Sequence, residues 1–182
     1  MAIILLMFCC CNVQKVNKSS FKLVFMIKAR VIGCGVIGLT VARLLSQKGW
    51  SVEVVYEDNY INTTSYIAAA VWHPFLVEKS TRILKWAEES YKYFECISNQ
   101  LNTGVSIVKG HELSSYSIST PEWANIVKNF HVTTSNSWNS VWSYEAPVIE
   151  MPLYLSWLKL KCLKNNVVFK QQKINNLLKN SK

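Results

Sequence analysis

Apolar positions along the chain change period several times, and each change marks an element. Arg30 to Ile32 end an apolar, β-branched stretch that predicts a buried strand. From Val36 to Lys48 the period lengthens to that of a helix, with Ile37, Val41, Leu44 and Leu45 on one face. Gly49 stands where a helix stops in a left-handed residue, and Ser51 to Tyr56 predict a second strand. Between Ser80 and Gln100, Ile83, Leu84, Ala87, Tyr91, Phe94 and Ile97 recur at helical spacing and predict an amphipathic helix covering a sheet. Residues 104–113 and 130–150 alternate in short pieces, as strands and loops do, and the Ser, Thr and Asn crowded between 133 and 140 mark a loop or hairpin. Pro152 suits the first turn of a helix, which Tyr154, Trp157, Leu158 and Leu160 through Leu163 fill. Asn165 and Asn166 end that helix, and VVFKQ follows as a strand. No internal repeat interrupts this order.

The turn between the first strand and the first helix carries the most chemistry. Gly33, Gly35 and Gly38 form G-x-G-x-x-G, and Glu57 closes the second strand nineteen residues after Gly38. Gly33 permits a tight turn, Gly35 lets backbone approach a pyrophosphate, and Gly38 lets helix pack on strand. The helix start offers free N–H groups and a positive dipole to phosphates. A carboxylate at the end of the second strand accepts hydrogen bonds from ribose hydroxyls. Strand, loop, helix, strand and acid in this order predict dinucleotide binding; the bland alternative is a glycine-rich turn without a ligand. Glu57 without a nearby Arg disfavours a 2′-phosphate, which leaves FAD or NAD ahead of NADP. Cys34 sits at a helix amino terminus, a place that lowers a thiol pKa, but a bound pyrophosphate opposes a thiolate there, so a small packing residue is the expectation.

Charge changes the picture little. The chain of 182 residues has a formal net charge of +9. All eleven acidic residues lie between positions 31 and 158, whereas residues 1–30 hold five basic groups and residues 159–182 hold seven. The basicity therefore sits at the two ends, not on a face with interleaved aromatics, and nucleic acid is not an expected partner. Cys9, Cys10, Cys11, Cys34, Cys96 and Cys162 show no metal-ligand spacing, and adjacent cysteines do not make a disulfide framework; a reducing compartment is expected. The apolar run at 2–11 is too short to span a bilayer, and it has neither the leading basic residue nor the cleavage site of a signal peptide. Acylation of its cysteines is one reading. A disordered or mis-assigned extension over 1–25, with Met26 as the initiator, is the other.

The segment after the second strand separates flavin from nicotinamide. In NTTSYIAAAVWHPF (Asn62 to Phe75), Thr63, Thr64 and Ser65 offer hydroxyls to phosphate or ribitol oxygens. Ala68, Ala69 and Ala70 let backbone lie close to a flat ring, and Trp72, His73 and Pro74 follow. This resembles the D-amino-acid oxidase and D-aspartate oxidase family, which has T-T/S-x-x-A-A-G/A-x-W-x-P at this place. The resemblance runs collinearly from about Met26 to Leu178, through KWAEESYKYFECI, GVSIVKGHEL, PEWANIVKNF and PVIEMPLYLSWLKLKCLKNNVVFKQQKI. It implies an α/β fold: a Rossmann-like FAD-binding domain with part of an antiparallel-sheet substrate domain. The expected division is an extension at 1–25, the FAD-binding part at 26–104, partial substrate-domain strands at 105–150, and a helix and strand returning toward the FAD domain at 151–182.

The resemblance further implies FAD contacts at Gly33, Cys34, Gly35, Val36, Ile37, Gly38, Glu57, Asp58, Thr63, Thr64, Ser65, Ala69, Ala70 and Val71. Three departures stand out. Asp58 occupies a place where the family often has Arg, Cys34 replaces the usual Ala, and Ala70 replaces a frequent Gly. The implied reaction is oxidative deamination of a D-amino acid to the 2-oxo acid, ammonia and hydrogen peroxide, with no catalytic side chain assigned. His73 has two readings, one on the substrate side and one structural. His111 and His131 show no paired acid or nucleophile at informative spacing. The family's substrate-binding Tyr and Arg and its glycine-rich carboxy-terminal loop have no counterpart up to Lys182, so an amino-terminal fragment without activity of its own is expected. A catalytically inactive FAD-binding remnant and another dinucleotide-dependent oxidoreductase stay as alternatives. A D-amino acid for the full-length chain and a homodimer are the partners carried forward, in a peroxisomal or cytoplasmic setting, without a transmembrane segment.

Overall fold

The computed structural model describes residues 27–74 and 80–174, and the expectations for residues 1–25, Met26, Phe75 and Leu178 lie outside them. By contact, the described residues fall into two compact units: 27–68 with 151–174, and 69–150. Residues 69–104 thus group with 105–150, whereas the sequence reading grouped them with the glycine loop.

The first unit holds a parallel sheet. β1 (Lys28–Ile32) leads through α1 (Val36–Gln47) to β2 (Ser51–Tyr56). A 3-10 turn (Tyr60–Asn62) and the one-turn α2 (Thr64–Ile67) follow. Within the antiparallel unit come β3 (Ala70–Val71), α3 (Thr81–Ser98), β4 (Val105–Ser114), a 3-10 turn (Glu122–Asn125), β5 (Lys128–Thr133) and β6 (Ser140–Ile149). The chain then re-enters the first unit as α4 (Met151–Lys164) and β7 (Val168–Gln171).

In the parallel sheet β2 is central, with β1 and β7 on its two sides. Val31 pairs Val54 across β1 and β2, and Val54 pairs Phe169 across β2 and β7. Val52, Val54 and Val55 are buried, the apolar run expected of a parallel strand covered on both faces. β1 corrects the expectation of a buried strand: among the described residues it is an edge, and Ile32 is 52% exposed. A run of β-branched residues reports strand propensity but not how many neighbours the strand has. The same edge explains α1, whose Ile37 and Val41 are exposed, while Val36, Leu39, Thr40 and Ala42 are buried instead. α4 packs on α1 through a Cys162 thiol donating to the Leu39 carbonyl (3.3 Å) and the Arg43 guanidinium over Trp157 (5.2 Å). Met151, Tyr154, Leu155, Trp157, Leu158 and Cys162 are its buried residues; Leu160 and Leu163, expected to fill it, are exposed. Gly49 (φ +83°) and Asn166 (φ +58°) take the left-handed conformation just past the two long helices, as expected for stop positions.

The antiparallel unit is organised around β6. β4 pairs with its whole length, from Val105–Ile149 to Ser114–Ser140. β5 and β3 share its other edge end to end, and the β5 register shifts between Lys128 and His131, where Asn129 has φ +55°. Trp123 is buried against Trp72, Phe130, Trp142 and Tyr144 at centroid distances of 5.1 to 6.1 Å, in edge-to-face contacts. α3 is capped by Ser80, whose hydroxyl accepts from the Ile83 N–H (3.3 Å), and it buries Ser90, Tyr91, Phe94 and Ile97. The indole N–H of Trp72 donates to Ser90 Oγ (2.9 Å), which settles the polar atom of a buried ring.

Candidate nucleotide-binding site

The glycine turn favours glycine at two positions, for a backbone conformation at one and for lack of space at the other. Gly33 has φ +97°, a conformation that L side chains rarely adopt. A Cβ on Gly38 would stand 2.0 Å from the Gly33 carbonyl oxygen, so helix and turn touch backbone to backbone. Gly35 differs, because a Cβ there would meet the Ser65 hydroxyl at 3.0 Å. That hydroxyl accepts the Val36 N–H at 3.2 Å. The helix ladder begins at Leu39, whose N–H reaches the Gly35 carbonyl at 3.0 Å, so the N–H groups of Ile37 and Gly38 stand outside it. A shallow groove of about 320 Å³ runs along this turn, lined among others by Gly33, Gly35, Ile37, Gly38 and Ser65. N–H groups outside the ladder, the helix dipole, a hydroxyl and the groove along the turn suit the oxygens of a diphosphate.

Cys34 tethers the turn to the second strand, its thiol donating to the Asp58 carbonyl at 3.1 Å. It is buried, and burial pushes the thiol pKa up, opposed by the Lys159 charge. This fits the packing role, and no lowered thiol results from the helix terminus. Glu57 stands at the end of β2 and is more than half exposed. Its Oε1 accepts from the Lys173 ammonium at 2.7 Å, and its backbone carbonyl accepts from Gln171 Nε2 at 3.0 Å. Lys159 lies over the rings of Tyr60 (4.9 Å) and Phe169 (5.6 Å).

The predicted positions divide between the units. Gly33, Cys34, Gly35, Val36, Ile37, Gly38, Glu57, Asp58, Thr63, Thr64 and Ser65 belong to the parallel-sheet unit, where the turn, Ser65 and Asp58 are in direct contact. The Thr63 hydroxyl is engaged locally, donating to the Tyr60 carbonyl at 2.6 Å. Ala69, Ala70 and Val71 belong to the antiparallel unit, where Ala70 pairs Ile149 and Val71 pairs Val148. Lys159, Gln171 and Lys173 were missed by the sequence reading, because more than a hundred residues separate them from the turn and nothing local marks them.

Other polar groups also gather only in three dimensions. His73 Nδ1 lies 3.0 Å from Glu112 Oε1 and 3.3 Å from the Tyr144 hydroxyl, which itself donates to Glu112. Burial, then this bond to Glu112, push the Tyr144 pKa well up. His111 Nδ1 is 2.7 Å from Ser143 Oγ, a partner that sequence spacing did not reveal. Among the described residues no group of three or more His, Cys, Asp or Glu is placed to hold a metal ion, and no helix is long and apolar enough to cross a membrane.

Comparison with known proteins adds an independent line. The model of a family described as FAD dependent oxidoreductase matches residues 28–181. A D-amino-acid oxidase of Rubrobacter xylanophilus is 35% identical over 136 residues, 72% of this chain and 42% of that protein. The chain thus spans less than half the length of this curated relative. Among solved structures, an L-α-glycerophosphate oxidase from Mycoplasma pneumoniae with FAD bound matches with a TM-score of 0.62 at 15% identity, over 82% of this chain and 46% of that one. An L-amino acid deaminase from Proteus myxofaciens matches with a TM-score of 0.59 at 13% identity, over 86% and 40%.

Proposed function

Because the chain belongs to the FAD-dependent oxidoreductase family, we propose that it is the dinucleotide-binding portion of a D-amino-acid oxidase and that its glycine turn holds the diphosphate of FAD. The observation that carries this reading is the turn itself, where Gly33 and Gly38 touch backbone to backbone at the start of α1 with Glu57 at the end of the next strand. Choice of D-amino acids as substrate rests on the curated relative named above, at 35% identity. The fold neighbours, which include an L-amino acid deaminase, a glycine oxidase and an L-α-glycerophosphate oxidase, share the fold, and the substrate class rests on the sequence relative.

Bound flavin supplies the chemistry, accepting a hydride equivalent from the substrate carbon. The chain's own residues bind and orient. N–H groups of Ile37 and Gly38 would meet phosphate oxygens, Ser65 would offer its hydroxyl beside Gly35, and Glu57 would accept hydrogen bonds from ribose hydroxyls. Thr63, Thr64, Ala69, Ala70 and Val71 are assigned to the flavin side by the resemblance. Positioning of this kind contributes to rate by fixing the reacting geometry, without a side-chain acid or base.

The test is anaerobic reduction. Protein loaded with FAD is mixed with D-alanine, D-aspartate or the L-enantiomers, and the oxidised flavin band is followed. Bleaching by a D-amino acid alone is the expected result for the complete protein. Bleaching by L-amino acids alone refutes the substrate assignment, and failure to take up FAD refutes the whole reading.

A further inference from the structure

The outward side of α4 departs furthest from what the sequence reading expected. The helix is apolar on both sides. One side packs against α1 and buries Tyr154, Leu155, Trp157, Leu158 and Cys162. On the other, Leu153, Leu160 and Leu163 are 49%, 58% and 48% exposed. Spacings of seven and three residues put these leucines on one stripe. Ser156 lies among them, and its hydroxyl donates to the Pro152 carbonyl of the same helix at 2.8 Å. Cations border the stripe. Lys159 and Lys161 leave the helix on its two sides, with their ammonium groups over Tyr60 (4.9 Å) and Trp157 (5.2 Å). Lys164 follows, exposed, in the last turn. Residues 151–182 contain no Asp or Glu. Complementing the helix dipole accounts for Lys161 and Lys164 but not for the leucines beside them.

A single exposed leucine needs no explanation, but an apolar stripe on a helix already anchored by its other side does. Protein interfaces favour aromatic residues and Arg, are depleted in Lys, and bury about 800 Å² per partner. Three half-exposed leucines fall well short of that area, and the rings of α4, Tyr154 and Trp157, are buried. Leucines bordered by lysines, with no acid near them in sequence, match the boundary between lipid headgroups and acyl chains. There the leucines enter the apolar layer, while the lysine stems lie along it and the ammonium groups stay among the phosphates. We propose that α4 docks the chain on an anionic lipid surface, lying flat through Leu153, Leu160 and Leu163 with Lys161 and Lys164 at the headgroups. Such contact needs no spanning segment, and among the described residues no helix is long and apolar enough to be one. It is independent of the nucleotide-site reading, since the stripe faces away from α1 and includes no residue of the glycine turn.

The test is sedimentation of the purified chain with phosphatidylcholine vesicles and with vesicles in which about a third of the lipid is phosphatidylserine. Wild type should bind the anionic vesicles at least about tenfold more tightly, and high salt should weaken that binding. Leu160→Ser combined with Leu163→Ser should weaken it by about tenfold or more, as should Lys161→Gln combined with Lys164→Gln, each at a nearly unchanged unfolding midpoint. Lys85→Gln combined with Lys109→Gln, at exposed lysines of the antiparallel unit, should change it by less than about twofold. No binding, equal binding to both kinds of vesicle, or binding that the α4 variants leave unchanged overturns the inference. An equal loss with the Lys85 and Lys109 substitutions also overturns it, because net charge then acts without α4. Self-association of wild type that the leucine substitutions abolish, without vesicle binding, assigns the stripe to a second copy of the chain and overturns the lipid reading.

Discussion

The two units are built on opposite plans. The antiparallel unit is held by rings: Trp123 alone meets Trp72, His73, Phe130, Trp142 and Tyr144, and strand β6 has neighbours along both edges. The parallel-sheet unit is held by close backbone approach at the glycine turn and by α4 on α1, and among the described residues β1 pairs with β2 alone, with Ile32, Ile37 and Val41 exposed. Both units bury large side chains, rings around Trp123 in the antiparallel unit and Tyr154, Leu155 and Leu158 in the parallel-sheet unit, but the latter also depends on the absence of side chains at its glycine turn. Removing a buried ring should hurt either unit, whereas adding a methyl group at the glycine turn should hurt the parallel-sheet unit.

The largest effect is expected at Trp123. Its ring is 6% exposed, and Trp123→Ala should cost about 3–5 kcal/mol in denaturant unfolding. A loss under about 1 kcal/mol would break the picture of a ring-held unit. Next comes Gly38→Ala, which places a methyl carbon against the Gly33 carbonyl and should cost about 2–3 kcal/mol, with loss of flavin uptake. A smaller effect is pH-dependent. Burial raises the Cys162 thiol from 9.0 to about 11, so the neutral form is the one the fold favours. Its contribution is complete below pH 9 and is lost as the pH rises toward 11, about 2 kcal/mol by that point. Cys162→Ala should flatten that part of the stability profile; an unchanged slope would assign it elsewhere. The smallest change belongs to Ile37→Ala. With Ile37 57% exposed, it should shift stability by less than about 0.5 kcal/mol, measurable against Trp123→Ala in the same denaturation series.

Much of this was legible in the chain. Gly33 and Gly49 announce conformations that few other residues adopt, Gly38 announces a close backbone contact, and the helical period from Ser80 onward announces α3. Local signals of this kind need only a few neighbours. The edge position of β1 was not legible, since the residues of a strand report its propensity and not its partners. The exposure of Ile37 and Val41 follows from that edge and was hidden with it. Charges were hidden for a related reason. Lys173 meets Glu57 across 116 residues, and Glu112 and Tyr144 meet His73 from two other strands, so only the pairing of distant elements brings them together. Asp58 stands where the family often has Arg, and Lys173 brings a positive charge to the Glu57–Asp58 corner from beyond β7.

The most direct measurement is a titration of the purified protein with FAD, followed by flavin fluorescence, in wild type and Gly35→Ala. In Gly35→Ala the added carbon meets the Ser65 side chain, whose hydroxyl can turn away, so the fold should survive while the turn loses that hydroxyl and the close backbone approach a diphosphate needs. Saturable binding by wild type, weakened by about tenfold or more in Gly35→Ala at nearly unchanged stability, is the expected result. Absence of saturable binding, or equal binding by both proteins, would contradict the assignment of the glycine turn to the FAD diphosphate.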